Sequence, residues 1–251
     1  MWNDWLSQTR RVYDARASIP FDGHTSAGEV KRCVDALCTV VPNRDARVCD
    51  VGCGTGWHLR EMADRGFTRL CGIDLSAESI AQAAQRNAHT HALFVWGDVC
   101  SYPAQGHYDA VTVFNAVLGS GSQAYDTFFV RRASALLADR GSLVLSFIPQ
   151  ELAQRHAGTF DVTYSESSPA RVKSSVDLSA QRSVLTIRQT LDDRALPSEL
   201  LHLYTVREMA SLISSAGLEV VLSGSDDALE PRTHNTDCYL GWIVARRRAH
   251  E

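Results

Sequence analysis

Apolar residues recur at helical spacing between Ala27 and Val41, where Val30, Cys33, Val34, Leu37, Cys38 and Val41 form one stripe before Pro42 stops the segment. This predicts a one-sided helix packed on a sheet. Arg47–Val51 then reads as a short apolar strand running into a glycine-rich turn, followed by a helix carrying Leu59, Met62 and Ala63 that ends near Gly66. The unit repeats. Arg69–Leu75 predicts a second buried strand, and Ser76 with Glu78 marks the capped, acidic start of a helix through Ile80, Ala83, Ala84 and Ala88. Further strands are expected at Ala92–Trp96, Tyr108–Phe114 and Ser142–Ile148. The last is reached through a helix around Tyr125, Phe128, Phe129, Leu136 and Leu137 and the turn Asp139-Arg140-Gly141. Strands this apolar are expected to be buried on both faces, and their alternation with helices predicts a parallel sheet with right-handed crossovers.

From about Phe160 to Tyr204 the rhythm changes to alternating segments, Val184–Leu191 and Leu200–Tyr204, separated by turn-like stretches. This predicts a small antiparallel insertion. Thr205 and Glu208 then form a capping box that opens a helix through Met209, Leu212 and Ile213 ending at Gly217, and two last strands follow at Leu218–Leu222 and Cys238–Val244. The expected fold class is α/β: a doubly wound, seven-stranded, mostly parallel sheet with helices on both faces, an N-terminal helix and an antiparallel β insertion before the last helix. One domain over 1–251 is expected, divided into 1–25, a core over 26–150, the insertion over 151–204 and a closing part over 205–251.

The composition, 45% hydrophobic and 22% charged over 251 residues, allows one large buried core. A formal net charge of -4 supplies no global basic field, which disfavours nucleic acid as partner; the one short basic cluster, Arg246-Arg247-Arg248, reads as a solvated strand end. Seven cysteines without a paired Cys-x-x-Cys spacing read as reduced, small hydrophobes rather than metal ligands. The start of the chain lacks a basic region followed by an apolar stretch, and no apolar run reaches membrane-spanning length, so a cytoplasmic protein without membrane contact is expected.

In an open parallel sheet, ligands bind beyond the carboxyl ends of the strands at the switch point of the winding. After the first strand stands Asp50-Val51-Gly52-Cys53-Gly54-Thr55-Gly56, where glycines let the backbone turn tightly and let a ligand come closer than a Cβ permits. The following helix start offers free N–H groups to an anionic group such as a carboxylate. The second strand ends at Asp74, whose carboxylate suits two adjacent ribose hydroxyls. The third ends at Gly97-Asp98-Val99, where an acid accepts from the exocyclic amine of a base, and the fourth at Phe114-Asn115-Ala116 near the centre of the cleft. Glycine turns also serve dinucleotide enzymes, but that fingerprint wants glycine at the sixth position, where Trp57 stands here.

The ordered set resembles the class I S-adenosylmethionine-dependent methyltransferases. Asp50–Gly56 is similar to their first motif, Gly72-Ile73-Asp74-Leu75-Ser76 to their ribose-binding acid, Gly97-Asp98-Val99 to their adenine-contacting acid, Tyr108-Asp109-Ala110-Val111 to their fourth strand, and Leu136–Leu143 to their link into strand five. The resemblance implies S-adenosylmethionine as cofactor and S-adenosylhomocysteine as product. It implies cofactor contacts from Tyr13, Asp50, Gly52, Cys53, Gly54, Gly56, Asp74, Leu75, Asp98, Val99 and Asn115, with the glycines at the methionine end. His58, after the loop, is expected to be an exposed first-turn residue. Tyr13-Asp14, on an N-terminal helix with Trp2, Trp5, Leu6 and Val12, resembles the start of many small-molecule methyltransferases, where this segment is a lid that excludes water.

The insertion resembles the cover of glycine N-methyltransferase-like and natural-product tailoring enzymes, which implies a closed pocket for a small-molecule methyl acceptor. Tyr13, His24, Asn115, His202 and Tyr204 are the candidates to line it, and His202 and Tyr204 share a strand face by parity. Methyl transfer needs proximity and alignment above all, so no catalytic residue is assigned; for an acceptor needing a base, His24, His202 and Tyr204 are the candidates. Phe114-Asn115-Ala116-Val117 stands where nucleic-acid amino-methylating enzymes carry an Asn-Pro-Pro-Tyr type run, which again favours a small metabolite, methylated on nitrogen or oxygen. Three other readings compete: an RNA or protein methyltransferase, an NAD-dependent oxidoreductase, which leaves Asp98 without a role, and a non-catalytic cofactor-binding protein, which the glycine loop does not separate from an enzyme. Oligomeric state is open, and no metal is expected.

Overall fold

The computed structural model describes residues 2–17, 27–103, 107–114, 118–155, 160–164, 172–179, 183–225 and 241–247. The chain opens with helices α1 (Trp2–Ala17) and α2 (Ala27–Val40), then alternates β1 (Arg47–Val51), α3 (Trp57–Asp64), β2 (Arg69–Asp74), α4 (Ala77–Arg86), β3 (Leu93–Trp96), β4 (Tyr108–Val113), α5 (Gln123–Leu136) and β5 (Leu137–Phe147). A short α6 (Gln150–Arg155) leads into β6 (Phe160–Tyr164), β7 (Val172–Ser179), β8 (Val184–Leu191), β9 (Arg194–Ala195) and β10 (Glu199–His202). The chain then returns through α7 (Val206–Ser215), β11 (Leu218–Ser225) and β12 (Gly241–Arg247).

The main sheet has seven strands in the order β11-β12-β5-β4-β1-β2-β3, parallel from β5 to β3, with β12 antiparallel to both β5 and β11. The winding reverses between β1 and β4, so the loops after these two strands flank the switch point. Neighbouring residues along each strand serve opposite faces. Cys49, Val111, Leu143 and Ile243 pack with Phe129, Ala133, Leu136, Met209 and Ile213 of α5 and α7. Val48, Ala110, Val144 and Val244 pack with Val34, Leu37, Leu59 and Met62 of α2 and α3. Burial of each fully enclosed leucine or methionine here stabilises by about 2 kcal/mol. The second sheet, order β10-β8-β7-β6 with β9 on β8, is the expected antiparallel insertion, and Ala153, Leu185, Leu201 and Leu203 seat it on α6.

Three local expectations are corrected. Strand β3 is not buried on both faces: it is the sheet's edge, and Leu93 and Trp96 are 68% and 56% exposed. Strand β5 begins five residues before Ser142, because 137–141 pair irregularly beside Tyr108; Arg140 takes φ 61° and Gly141 has carbonyls where a Cβ would stand. His58 is buried, not exposed, because with Leu59 and Met62 it belongs to the stripe that α3 turns to the sheet, and its ring lies 4.9 Å from that of Phe114.

The capping box at α7 forms as read: Thr205 Oγ1 accepts from the Glu208 amide at 3.1 Å while the Glu208 carboxylate accepts from the Thr205 amide at 2.8 Å. Thr205→Ala is expected to lower stability by about 1 kcal/mol and the melting temperature by about 2–4 °C, measured by urea and thermal unfolding.

Candidate active site

The loop after β1 carries three left-handed glycines, Gly52, Gly54 and Gly56, at φ 73°, 51° and 82°. Its first amides stay with the sheet, since the N–H groups of Gly52 and Cys53 donate to the Ile73 carbonyl at 2.8 and 3.2 Å. Gly54 borders open space where a side chain would project, whereas a Cβ on Gly56 would meet Asn87 Nδ2 at 2.7 Å and Ala83 Cβ at 3.0 Å. One glycine keeps the cleft clear; the other lets α4 close on the loop. That closure is tied by Asn87 Nδ2 donating to the Gly56 carbonyl at 3.2 Å and by the Arg86 guanidinium, which donates to the Thr55 carbonyl and lies 4.3 Å over the Trp57 ring.

Asp74, at the end of β2, reaches back to this loop. Its Oδ2 accepts from the Gly54 amide at 2.7 Å and its Oδ1 from the Ser76 amide at 2.8 Å. Burial raises the Asp74 pKa, and the two amides pull it back. The Gly54 amide is thus committed to the acid. Asp50 on β1 is buried; Thr112 Oγ1 donates to its Oδ1 at 2.6 Å, and its Oδ2 has no partner among the described residues. Burial pushes the Asp50 carboxyl up to about 7, against the pull of Thr112.

Helix α1 crosses the rim of this cleft and is held at both ends of the span. On the α4 side, Ser76 Oγ donates to Asp14 Oδ1 at 2.6 Å and Gln82 donates to the Ala17 carbonyl at 2.8 Å. On the insertion side, the Tyr13 hydroxyl donates to Glu199 Oε1 at 3.0 Å, Arg16 pairs with the Glu199 carboxylate, and Arg16 Nε donates to Gln189 Oε1 at 3.0 Å. Burial, then Glu199, raises the Tyr13 pKa, and Asp74 lies close enough to add to the shift. Glu199 and Gln189 are themselves buried.

A further cluster stands where the loop after β4 meets the end of β10. Asp126 Oδ2 accepts from the Tyr204 hydroxyl at 2.5 Å and from the Gly119 amide at 3.2 Å, and the His202 amide donates to the Gly119 carbonyl at 2.8 Å. The His202 and Tyr204 rings meet edge to face at 4.9 Å, so the parity argument brings them together; the Tyr204 hydroxyl, however, is spent on Asp126.

Of the other sequence candidates, Cys53 is buried under the loop, and Val99 is buried in the core beside α5, which leaves only its main chain for a ligand. Leu75 offers its carbonyl to the Trp96 indole N–H at 3.0 Å, and Asp98 Oδ1 accepts from the Cys100 amide at 2.9 Å, an Asx turn that fixes the strand end. His24 and Asn115 lie outside the described residues. Sequence reasoning missed Asp126, Glu199, Arg16 and Gln189. Asp126 left one signal, an acid inside an aromatic helix face after two glycines; the other three meet only through contacts 173 to 183 residues apart.

The carboxyls of Asp50 and Asp74 thus stand about a glycine that borders open space, with Asp98 at the next strand end. Residues 48–141 match the family described as a methyltransferase domain. The chain is 29% identical over 227 residues, 86% of each protein, to the dTDP-3-amino-3,6-dideoxy-alpha-D-glucopyranose N,N-dimethyltransferase of Streptomyces fradiae. Its fold is similar to the CcbJ methyltransferase from Streptomyces caelestis, with TM-score 0.74 at 18% identity over 98% of this chain and 100% of that one. It is also similar to CalS10 with bound S-adenosylmethionine, an amino pentose methyltransferase from Micromonospora echinaspora, with TM-score 0.67 at 25% identity over 90% and 92%.

Two buried groups give the ligand-free protein opposed pH responses. Asp50 keeps a proton in the folded state that the unfolded chain loses near pH 4, so its contribution falls as pH rises through about 7. Burial lowers the His58 pKa to about 4, so its contribution is lost as pH falls from about 6.5 toward 4. Subtracting the urea-unfolding stability of Asp50→Asn from that of the parent cancels the His58 part. The remainder is expected to fall by the order of a few kcal/mol between about pH 5 and about pH 7; a flat difference assigns the raised carboxyl elsewhere.

Proposed function

We propose that the chain is a class I S-adenosylmethionine-dependent methyltransferase of the small-molecule type whose acceptor is an amino group on a sugar or sugar-like natural product. Bound in the cleft, S-adenosylmethionine supplies a methyl carbon activated by a sulfonium and leaves as S-adenosylhomocysteine. The observation that carries the reading is the 2.7 Å bond from the Gly54 amide to Asp74, which makes the glycine loop and the strand-end acid two walls of one site.

The residues divide the work. Asp74 keeps lone pairs free beyond its two backbone bonds and accepts from the ribose hydroxyls. Asp50, whose Oδ2 has no partner among the described residues, would hold the cationic end of the amino-acid tail, and Asp98 would serve the adenine. Tyr13, with Asp14, Glu199 and Arg16 about it, closes the acceptor side and keeps water out, which sharpens every charge interaction inside. Residues 1–25 act as the lid, 151–204 as the cover, and 26–150 with 205–251 as the cofactor-binding frame. The similarity to amino-sugar methyltransferases supports the amino acceptor. A cytoplasmic location fits the six cysteines that stand free among the described residues, since such thiols persist in a reducing compartment. Among those residues no helix is long and apolar enough to cross a membrane.

Incubated with S-adenosylmethionine and dTDP-3-amino-3,6-dideoxy-α-D-glucopyranose, the protein is expected to add one or two methyl groups by mass spectrometry and none to the 3-hydroxy counterpart; transfer to the hydroxyl compound alone would reverse the acceptor assignment. Asp74→Ala is expected to weaken cofactor binding about 100-fold in calorimetry, and unchanged affinity would remove Asp74 from the site.

A further inference from the structure

Helix α1 reaches from the edge strand of the main sheet to the insertion. Leu6, Thr9, Val12, Tyr13 and Arg16 recur at three- and four-residue spacing, and Thr9 and Val12 are buried, so one face of the helix looks inward. In its first half Leu6 packs against the core cluster of α5 and α7, and the Arg10 guanidinium lies 5.6 Å over the ring of Trp96 at the end of β3. Its last turn meets two other parts at once. Asp14 accepts from Ser76 Oγ, the Ser76 amide donates to Asp74, and Asp74 holds the Gly54 amide, so hydrogen bonds run unbroken from the glycine loop to α1. Tyr13 and Arg16 engage both oxygens of Glu199 on β10, and Arg16 also reaches Gln189 on β8, which clips α1 to the two paired strands of the insertion. The Arg16 and Glu199 side chains are only 14% and 7% exposed. A pair so poorly hydrated loses its value once its geometry is spoiled, which makes a joint that is either made or broken.

Asp14 also stands near enough to Asp74 to oppose its charge. In the empty cleft two carboxylates thus share one serine, and their repulsion works against the docking of α1. Ribose hydroxyls donating to Asp74 spread that charge and the cationic cofactor offsets it, so α1 docks more firmly on a filled cleft than on an empty one. Resting on the readings of the cofactor cleft and the insertion given above, we propose that α1 is a strap that transmits cofactor occupancy to the insertion, with Asp14 as its sensor and the Arg16–Glu199 pair as its latch. The insertion is then held firmly only when the cleft contains S-adenosylmethionine, which sets the order of binding as cofactor before acceptor. By linkage, an acceptor bound beneath the insertion tightens the hold on the cofactor by the same factor.

The test is amide hydrogen exchange of the full chain, read by mass spectrometry with and without saturating S-adenosylmethionine, beside calorimetry of cofactor binding. In the parent the cofactor is expected to slow exchange at Gly52–Gly56 and, by about tenfold, at Val184–Leu191 and Glu199–His202. Arg16→Gln, Glu199→Gln and Asp14→Ala are expected to keep the slowing at the glycine loop and to lose it in the insertion. Arg16→Lys, which keeps the charge, restores part of it. Equal slowing of β8 and β10 in all three variants, or none there in the parent while the glycine loop is protected, overturns the proposal. Asp14 is only partly buried and its removal leaves Glu199 paired, so that variant stays folded even if the buried pair tolerates no change. A parent that gives no calorimetric signal with S-adenosylmethionine fails the cofactor reading itself and takes the proposal with it.

Discussion

The carboxylate of Asp74 joining the Gly54 amide is the contact from which the rest of the cleft takes its shape. It ties the end of β2 to the middle of the loop after β1, and only a glycine with positive φ can bring an amide to that place with open space beside it. The same acid accepts from Ser76, so it also fixes the start of α4. From there α4 returns to the loop through Arg86 and Asn87. Loop, strand end and helix form a closed circuit of hydrogen bonds, each member of which holds another in the geometry it needs.

That circuit is bought with buried charge. Asp50 and Asp74 sit near each other with raised pKa values, each pushed up first by loss of water. An acid pair of this kind weakens the empty protein and strengthens the complex with a cation, because the ligand supplies the partner that folding withheld. Ser76 carries the circuit outward: its hydroxyl caps α4 by accepting from the Ser79 amide and at the same time donates to Asp14, so α1 docks on the residue next but one to Asp74.

Much of this was legible in the sequence because it is local or periodic. The seven-stranded sheet followed from alternation of apolar strands and amphipathic helices, and the caps at Ser76 and Thr205 followed from side chains that bond amides three residues on. The failures have physical reasons too. A short apolar run such as 92–96 does not announce whether a neighbour will cover it, and β3 turned out to be an edge. His58 reads as polar, yet at helical spacing it falls in step with Met62. Contacts between distant segments were out of reach altogether: nothing near Arg16 specifies Glu199, and nothing near Tyr204 specifies Asp126, since each pair is chosen by the folded topology alone. Tyr204 was foreseen as a pocket residue, and what the sequence did not show is that its hydroxyl goes to Asp126.

The span of the Arg16–Glu199 pair, 183 residues, bears on assembly as well as on closure. Parallel strands β1 to β5 can associate from contacts among the first 150 positions, but α1 has no dock on its far side until β10 has been made and paired with β8. Helix α1 can thus settle against α4 through Asp14 and Ala17 and gains its second anchor only when the insertion has folded.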